Sequence, residues 1–276
     1  MSRTLRVVKL RELGYLFGFK PAPRTYGYQL KRFTLAEGDV DYAQWMHPGE
    51  TPKHVCQDEV DQLRAFLQEG DVAIDIGAHT GDSTMPMALA VGATGMVLAL
   101  EPNPYVFRIL ERNATLNPSK TRIVPLNFAA TAKEGEYEFE YSDAGFCNGG
   151  LHQGVSKWRH AHAFKLRVRG EHLPTYLEQH FPESIPRLRY VKVDAEGYDL
   201  DVLSSLHSLL VSRRPVVRAE VYKFSPRATR ERLHALLTGL NYDVRRWVSE
   251  REYRGELLGR EDMMNWPHFD IFCMPR

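Results

Sequence analysis

The chain has 276 residues, of which 43% are hydrophobic and 26% charged, enough for one α/β domain with a sizeable core and an extension. Its 36 basic and 35 acidic residues leave a formal net charge of +1, so no bulk positive field argues for nucleic acid as a partner. The three cysteines lie far apart without the spacing of metal ligands, and we expect a reduced, cytoplasmic protein.

Residues 1–57 are predicted to form an N-terminal extension with a short hairpin around Tyr26–Val40. No apolar run in the chain reaches the roughly 18–20 residues that span a bilayer. The first twenty residues are basic and amphipathic, and they lack the uninterrupted apolar stretch of a signal peptide. Such a segment either packs on its own domain or on a second subunit of a homo-oligomer, or it makes peripheral contact with an anionic membrane.

The main domain is predicted over residues 58–276. Residues 58–68 have the spacing of an amphipathic helix, which ends at Gly70. The apolar run over 72–76 follows at once and has the pattern of a strand buried on both faces.

That strand ends in a glycine turn, Asp75-Ile-Gly-Ala-His-Thr-Gly81, and a helix is predicted over 82–91, with a candidate cap at Asp82-Ser-Thr84. A strand, a glycine turn and a helix N-terminus place free backbone N–H groups around a small molecule. The spacing is not the dinucleotide fingerprint, because His79 stands where its middle glycine would be. Asp75 suits a ligand with a cationic amino group; the alternative is an ordinary tight turn.

The second predicted strand, over 97–100, ends at Glu101, which follows Gly77 by 24 residues. A carboxylate in this position, roughly 20 residues beyond a glycine turn, accepts hydrogen bonds from ribose hydroxyls. The alternative is a solvated acid in a loop.

The rest of the chain alternates strands and helices, which is typical of a doubly wound α/β fold. Strands are predicted over 123–126, 137–141, 164–168, 189–193, 215–221, 242–248 and 268–274. Helices are predicted over 104–117, 173–181, 198–210 and 225–240, the last one opened by a Ser225 cap with Pro226 in its first turn.

A glycine-rich stretch with aromatic and histidine side chains covers 142–163. A loop of this length is typically functional or disordered, and its composition suits a lid over a sugar-like acceptor. His160 and His162 lack a third metal ligand nearby, and the alternative to a metal site is that they face solvent.

Three carboxylates lie at the carboxyl ends of the strands predicted over 189–193 and 215–221, and these are Asp194, Glu196 and Glu220. Ligands bind at the carboxyl ends of strands in an open α/β sheet. The three carboxylates together suit a general base with its orienting partner, or an oxygen-ligand site for Mg²⁺. His79 is a further candidate base, and the alternative for Glu196 is a helix cap or a pair with Lys192 or Arg218.

Four stretches carry a family resemblance: Asp75-Ile-Gly-Ala-His-Thr-Gly81, Ala99-Leu-Glu-Pro-Asn-Pro104, Val191-Lys-Val-Asp-Ala-Glu-Gly197 and Arg218-Ala-Glu220. They resemble the motifs of class I methyltransferases of the FkbM type, in the same order and approximate spacing. That family is associated mainly with O-methylation of sugars and related natural products. The resemblance implies a Rossmann-like fold, with a mostly parallel seven-stranded sheet and an antiparallel last strand.

The resemblance also implies that S-adenosylmethionine is the cofactor and that a small molecule or glycan is the acceptor. The expected cofactor-binding residues are Asp75, Gly77, Ala78, His79, Gly81, Ser83, Thr84, Glu101, Pro102, Asn103, Phe128 and Ala129. Phe128 either stacks on the adenine or packs in the core. Two rival functions remain: an NAD-dependent oxidoreductase, which the position of His79 disfavours, and a catalytically inactive binding protein.

Overall fold

A computed structural model of the chain describes residues 22–141, 149–150 and 164–276. The predicted basic segment of the first twenty residues lies outside them, as does the loop over 142–163 apart from two glycines. The described strands are β1 (Tyr28–Leu35), β2 (Gly38–Trp45), β3 (Val72–Ile76), β4 (Met96–Leu100), β5 (Ile123–Leu126), β6 (Ala129–Ala130), β7 (Gly135–Tyr141), β8 (Gly149–Gly150), β9 (Phe164–Glu171), β10 (Leu188–Val193), β11 (Val216–Val221), β12 (Tyr242–Arg246) and β13 (Phe269–Pro275). The described α-helices are α1 (Gln57–Arg64), α2 (Thr84–Val91), α3 (Pro104–Thr115), α4 (Leu173–His180), α5 (Asp199–Ser205), α6 (His207–Arg213) and α7 (Arg227–Gly239). Short 3₁₀ helices cover Ile185–Arg187 and Glu261–Met264.

Seven strands form the central sheet in the order β12-β13-β11-β10-β3-β4-β5. Strand β13 runs antiparallel to β11 and β12, whereas the neighbours from β11 to β5 pair in parallel. Strands β3 and β4 are buried along their whole length because helices cover both faces of the sheet, which explains their uninterrupted apolar runs. The predicted Rossmann-like α/β fold, with an antiparallel last strand, is confirmed.

The strand order reverses direction at β3. Strands β4 and β5 follow on one side of β3, while β10 and β11 lie on the other. A crevice forms at such a reversal because the connections leave in opposite directions, and ligands of open α/β sheets bind there. The carboxyl ends of β3, β4 and β10 meet at this point.

The N-terminal hairpin of β1 and β2 packs onto the sheet domain through buried polar contacts. The hydroxyls of Tyr42 and Thr80 lie 2.7 Å apart, and the Asn113 side chain accepts a hydrogen bond from the Ala43 N–H at 2.6 Å. The same amide donates to the Thr80 carbonyl at 2.7 Å. The hairpin therefore supports the glycine turn, and it extends to Trp45, beyond the predicted end at Val40. A domain boundary after residue 57 stays a prediction.

Several details of the predicted helices are wrong. The helix expected over 58–68 ends at Arg64. The helix expected over 198–210 is split into α5 and α6 at Leu206, which is fully buried and has a backbone ψ of 6°. Helix α7 begins at Arg227, because the ψ of 154° at Pro226 is extended, so Pro226 precedes the first helical residue and Ser225 is not the cap. In the part of the chain that the structure describes, no helix has the length and apolar character needed to cross a bilayer.

Candidate functional site

A cavity of about 980 Å³ opens at the carboxyl ends of β3, β4 and β10. Residues after each of these strands line it, among them Gly77, Glu101 and Asp194. Residues of strand β7, of the segment between the hairpin and α1, of β11 and of the turn over 249–251 also line it. The cavity therefore occupies the crevice where the topology places a ligand site.

Gly77 brings the turn after β3 into contact with the turn after β10. Its φ is +79°, and a Cβ added there would lie 2.0 Å from the Asp194 carbonyl oxygen. No side chain fits such an approach, so glycine is required at this position. The predicted close approach of the backbone is present, and the nearest neighbour is the protein itself.

Asp75 lies beneath the cavity, fully buried, and does not line it. Its Oδ2 accepts hydrogen bonds from the hydroxyls of Ser83 at 2.8 Å and Thr84 at 2.7 Å. The expected helix cap is therefore wrong: the Ser83 hydroxyl makes no capping hydrogen bond to α2, because it donates to Asp75 instead. Asp75 thus fixes the turn and the start of α2 from below.

Glu101 presents a buried carboxylate to the cavity. Oε2 accepts the N–H of His79 at 3.0 Å, and Oε1 accepts the N–H of Asn103 at 2.8 Å. Burial raises the pKa of Glu101 to about 7, against the lowering effect of these two hydrogen bonds. Each oxygen keeps a second lone pair, so the carboxylate can accept further hydrogen bonds from a ligand. Glu101 is not a solvated loop acid, since only 7% of the residue is exposed.

His79 forms a second wall of the cavity together with the segment before α1. Its backbone has a φ of +49°, and its Nε2 lies 3.7 Å from Glu50 Oε2. Burial lowers the pKa of His79, so the imidazole is neutral near pH 7. Lys53 joins this wall, with Nζ 3.3 Å from Glu50 and 3.0 Å from Asp82.

Asp194 and Glu196 line the cavity after β10, and a buried lysine supports the first of them. Lys192 Nζ lies 3.4 Å from Asp194 Oδ2 and 3.5 Å from Asp75 Oδ1. Burial alone would lower the pKa of Lys192, but the two carboxylates outweigh it and raise that pKa, so the lysine stays charged. The Asp194 side chain is 44% exposed and open to a ligand.

Glu196 has a backbone φ of +50°, and burial and Asp194 both raise its pKa. It does not hold the turn before α5: Asp199 does, by accepting the N–H groups of Ala195 and Gly197 at 3.2 and 3.1 Å. Among the described residues it forms no ion pair with Lys192, which pairs with aspartates instead. The Glu196 carboxylate is therefore available to a ligand at the cavity wall.

Glu220 does not line the cavity. Its Oε1 lies 3.5 Å from His268 Nδ1, and burial, with Asp194 and further acids nearby, raises the pKa of Glu220 to about 10. The structure thus brings Asp194 and Glu196 to the cavity and leaves Glu220 beside it. No group of three or more His, Cys, Asp or Glu residues in the described ranges is arranged to hold a metal ion, so a Mg²⁺ site has no support.

A model of the family described as "Methyltransferase FkbM domain" matches residues 75–254, which include every motif at the cavity. The chain belongs to the FkbM methyltransferase family. Its Rossmann-like sheet is accordingly that of a class I methyltransferase.

Two relatives of this FkbM methyltransferase carry descriptive names. Hexuronic acid methyltransferase AglP of Haloferax volcanii is 29% identical over 160 residues, which cover 56% of this chain and 59% of AglP. Methyltransferase sdnD of Sordaria araneosa is 27% identical over 206 residues, covering 66% of this chain and 77% of sdnD. The matched region thus spans less than two thirds of the length of AglP.

Among solved structures, the methyltransferase FkbM from Methylobacillus flagellatus aligns over 75% of this chain and 44% of that one. The TM-score is 0.44 and the identity 14%. A likeness this distant carries no argument about function.

The predicted cofactor-binding residues of this FkbM methyltransferase fall into two groups. Those lining the cavity are Gly77, His79, Ser83, Glu101, Pro102, Asn103, Phe128 and Ala129. Those lying behind it are Asp75, Ala78, Gly81 and Thr84. The Phe128 ring also packs against Tyr176, with centroids 4.6 Å apart, so it belongs to both the core and the wall.

Several residues at the cavity did not emerge from the sequence as site residues. Lys192 and Arg218 appeared there only as partners for Glu196, and Glu59 of α1 did not appear at all. A signal existed for the first two, because each is a cation with an apolar residue on either side within a predicted strand. A buried charge of this kind requires a partner, which makes the residue a candidate for a functional site.

Proposed function

We propose that this FkbM methyltransferase transfers a methyl group from S-adenosylmethionine to a hydroxyl of a sugar or of a glycosylated small molecule. The observation that carries the proposal is the placement of Glu101, buried at the end of β4 and facing the cavity beside the glycine turn. A carboxylate at this point of a Rossmann-like sheet is suited to the hydroxyls of a ribose.

The residues at the cavity fit this cofactor. Its sulfonium and ammonium groups are cationic, and acids that line the cavity include Asp82, Glu101, Asp194 and Glu196. The amino-acid end would lie against the turn after Gly77 and beside Ser83, and the adenine against Phe128. The volume of about 980 Å³ is at the upper end of ordinary ligand sites, which allows room for an acceptor as well.

When bound, S-adenosylmethionine supplies a methyl group already activated by its positive sulfur, so the protein contributes mainly positioning and proton removal. Asp194 is the residue we assign to accept the proton of the acceptor hydroxyl, because its side chain is partly exposed in the cavity. Lys192, held by Asp75, fixes the Asp194 carboxylate from behind. Glu196 is a positioning partner on the same wall.

An oxygen of a sugar is the acceptor we favour because the name of one relative includes a sugar acid. AglP is named for hexuronic acid, and sdnD is named a methyltransferase. Family membership favours methyl transfer over hydride transfer, so an NAD-dependent reaction has no specific observation in its favour.

The proposal is tested by transfer of tritium from methyl-labelled S-adenosylmethionine to a panel of sugars and glycosides. We expect activity with the wild type and a loss of about 10²-fold or more in Asp194→Asn, the usual contribution of a positioned base. Asp201→Asn, an exposed aspartate on α5, is the matched control and should keep full activity. Transfer that is equally fast in Asp194→Asn would contradict the assigned base, and no transfer with any acceptor would support the inactive alternative.

A further inference from the structure

Among the described residues that line the cavity, Arg218 is a nearly buried cation whose hydrogen-bonding capacity is only partly used. Its side chain is 12% exposed, and Nε donates to Asp270 Oδ2 at 2.8 Å. Neither terminal nitrogen makes a hydrogen bond to a described residue. The remaining donors of the guanidinium are therefore available to a ligand.

The other described lysines and arginines at the cavity either contact two carboxylates, whereas Arg218 contacts one, or are hydrated. Lys53 lies 3.3 and 3.0 Å from two carboxylates, and Lys192 lies 3.5 and 3.4 Å from two others. Arg251 is 82% exposed, so water satisfies its donors. Arg218 combines burial with unused donors, which is the combination expected of a binding residue.

The orientation of Arg218 is fixed before any ligand arrives. Its guanidinium carbon lies 3.8 Å from the centroid of the Trp247 ring, and the hydrogen bond from Nε to Asp270 holds one edge of the group. A stacked guanidinium presents a rigid, planar fork that matches a carboxylate in a bidentate geometry. Because the fork is already ordered, little conformational entropy is lost when it binds.

The position of Arg218 points to the acceptor and not to the cofactor. Arg218 pairs in register with Lys192, whose ammonium contacts Asp194 at 3.4 Å. Adjacent strands lie about 4.8 Å apart, a distance comparable to the width of one sugar ring. Glu101 follows β4, three strands away from β11 and therefore about 14 Å distant along the sheet. The fork thus lies on the far side of the assigned base from the proposed ribose site.

We propose that Arg218 selects an acidic sugar by binding the carboxylate of a hexuronate while a hydroxyl of the same ring faces Asp194. This inference rests on the proposed function and adds the substrate class. A neutral sugar offers no carboxylate to the terminal N–H donors of Arg218, so the site discriminates by charge.

The test measures binding of D-glucuronate and of its neutral analogue D-glucuronamide, by saturation-transfer NMR, to protein saturated with S-adenosylhomocysteine. The variant is Arg218→Lys, which keeps the charge beside Asp270 but lacks the fork. The matched control is Arg246→Lys: this arginine also stacks on a tryptophan, Trp266 at 4.7 Å, and pairs with Glu256 at 3.2 Å, but does not line the cavity.

We expect the wild type and Arg246→Lys to bind glucuronate about ten-fold or more tightly than glucuronamide, and Arg218→Lys to bind both weakly. Equal binding of the two sugars by the wild type, or an unchanged preference in Arg218→Lys, overturns the inference. The inference is also overturned if Arg218→Lys weakens the binding of S-adenosylhomocysteine but not that of 5′-methylthioadenosine, which lacks the amino-acid end. Arg218 would then bind the cofactor. If S-adenosylhomocysteine does not bind the wild type, the proposed function itself has failed, and this result is distinct from a failure of the inference about Arg218.

Discussion

Glu59 offers a sharp test of the electrostatics at the cavity, through the substitution Glu59→Gln. The residue is only 7% exposed, and its Oε1 accepts a hydrogen bond from the Tyr253 hydroxyl at 3.2 Å. Burial raises the pKa of Glu59 from 4.5 to about 7, although Arg218 opposes the rise. Glutamine keeps the size and the acceptor for Tyr253 but removes the ionisation.

The sign of the effect follows from where the proton is bound. Between pH 4.5 and about 7 the folded protein holds the Glu59 proton and the unfolded chain has released it, so wild-type stability falls as the pH rises through this window. At 1.36 kcal/mol per pKa unit, the full penalty above pH 7 is about 3 kcal/mol. Below pH 4.5 both states are protonated, and the penalty vanishes. Glu59→Gln should therefore stabilise the protein at pH 8 and leave it nearly unchanged at pH 4.5.

The assay is urea unfolding followed by circular dichroism at pH 4.5 and pH 8 for the wild type, Glu59→Gln and a control. Glu178→Gln, an exposed glutamate on α4, should show no difference between the two conditions. A gain of about 2–3 kcal/mol for Glu59→Gln at pH 8 alone agrees with the reasoning. The same change at both pH values, or a loss of stability at pH 8, refutes it.

Two further substitutions test the supports of the site, both by urea unfolding. Gly77→Ala should lose about 3 kcal/mol or more, because the new Cβ would lie 2.0 Å from the Asp194 carbonyl oxygen at a φ of +79°. In the control, Gly239→Ala, the new Cβ would meet no neighbouring atom within 4 Å, so no stability should be lost. A similar loss of stability in both variants would refute the steric argument. Lys192→Met should lose about 3–5 kcal/mol, because the buried Asp75 carboxylate would lose its counter-charge. Exposed Lys133→Met should not, and a loss below about 1 kcal/mol in Lys192→Met would show that the lysine is not needed.

The sheet was predictable because its signals are local. Each central strand is a short apolar run, and Gly77 and Glu101 follow their strands directly, so their places at the crevice come from the order of elements. The split of the helix at Leu206 was not predictable, since an apolar stripe continues across the break. Local pattern fixes which segments are helical, but packing decides where they bend.

The roles of individual side chains were less predictable because they depend on contacts between distant residues. Asp75 was expected to face a ligand, yet it holds two hydroxyls of α2 and pairs with Lys192, which is 117 residues away in the chain. Arg218 depends in the same way on Trp247 and Asp270. A single sequence does not say which acid a buried cation meets, so these pairings required the structure.

Isothermal titration with S-adenosylhomocysteine tests the central claim, that the cavity beside Glu101 binds the nucleoside of this cofactor. The wild type should bind one molecule per chain, and Glu101→Gln should bind about ten-fold or more weakly, because an acceptor for the ribose hydroxyls is lost. Glu111→Gln, an exposed glutamate on α3, should match the wild type. Equal binding by the wild type and Glu101→Gln, with both proteins folded by circular dichroism, would contradict the account.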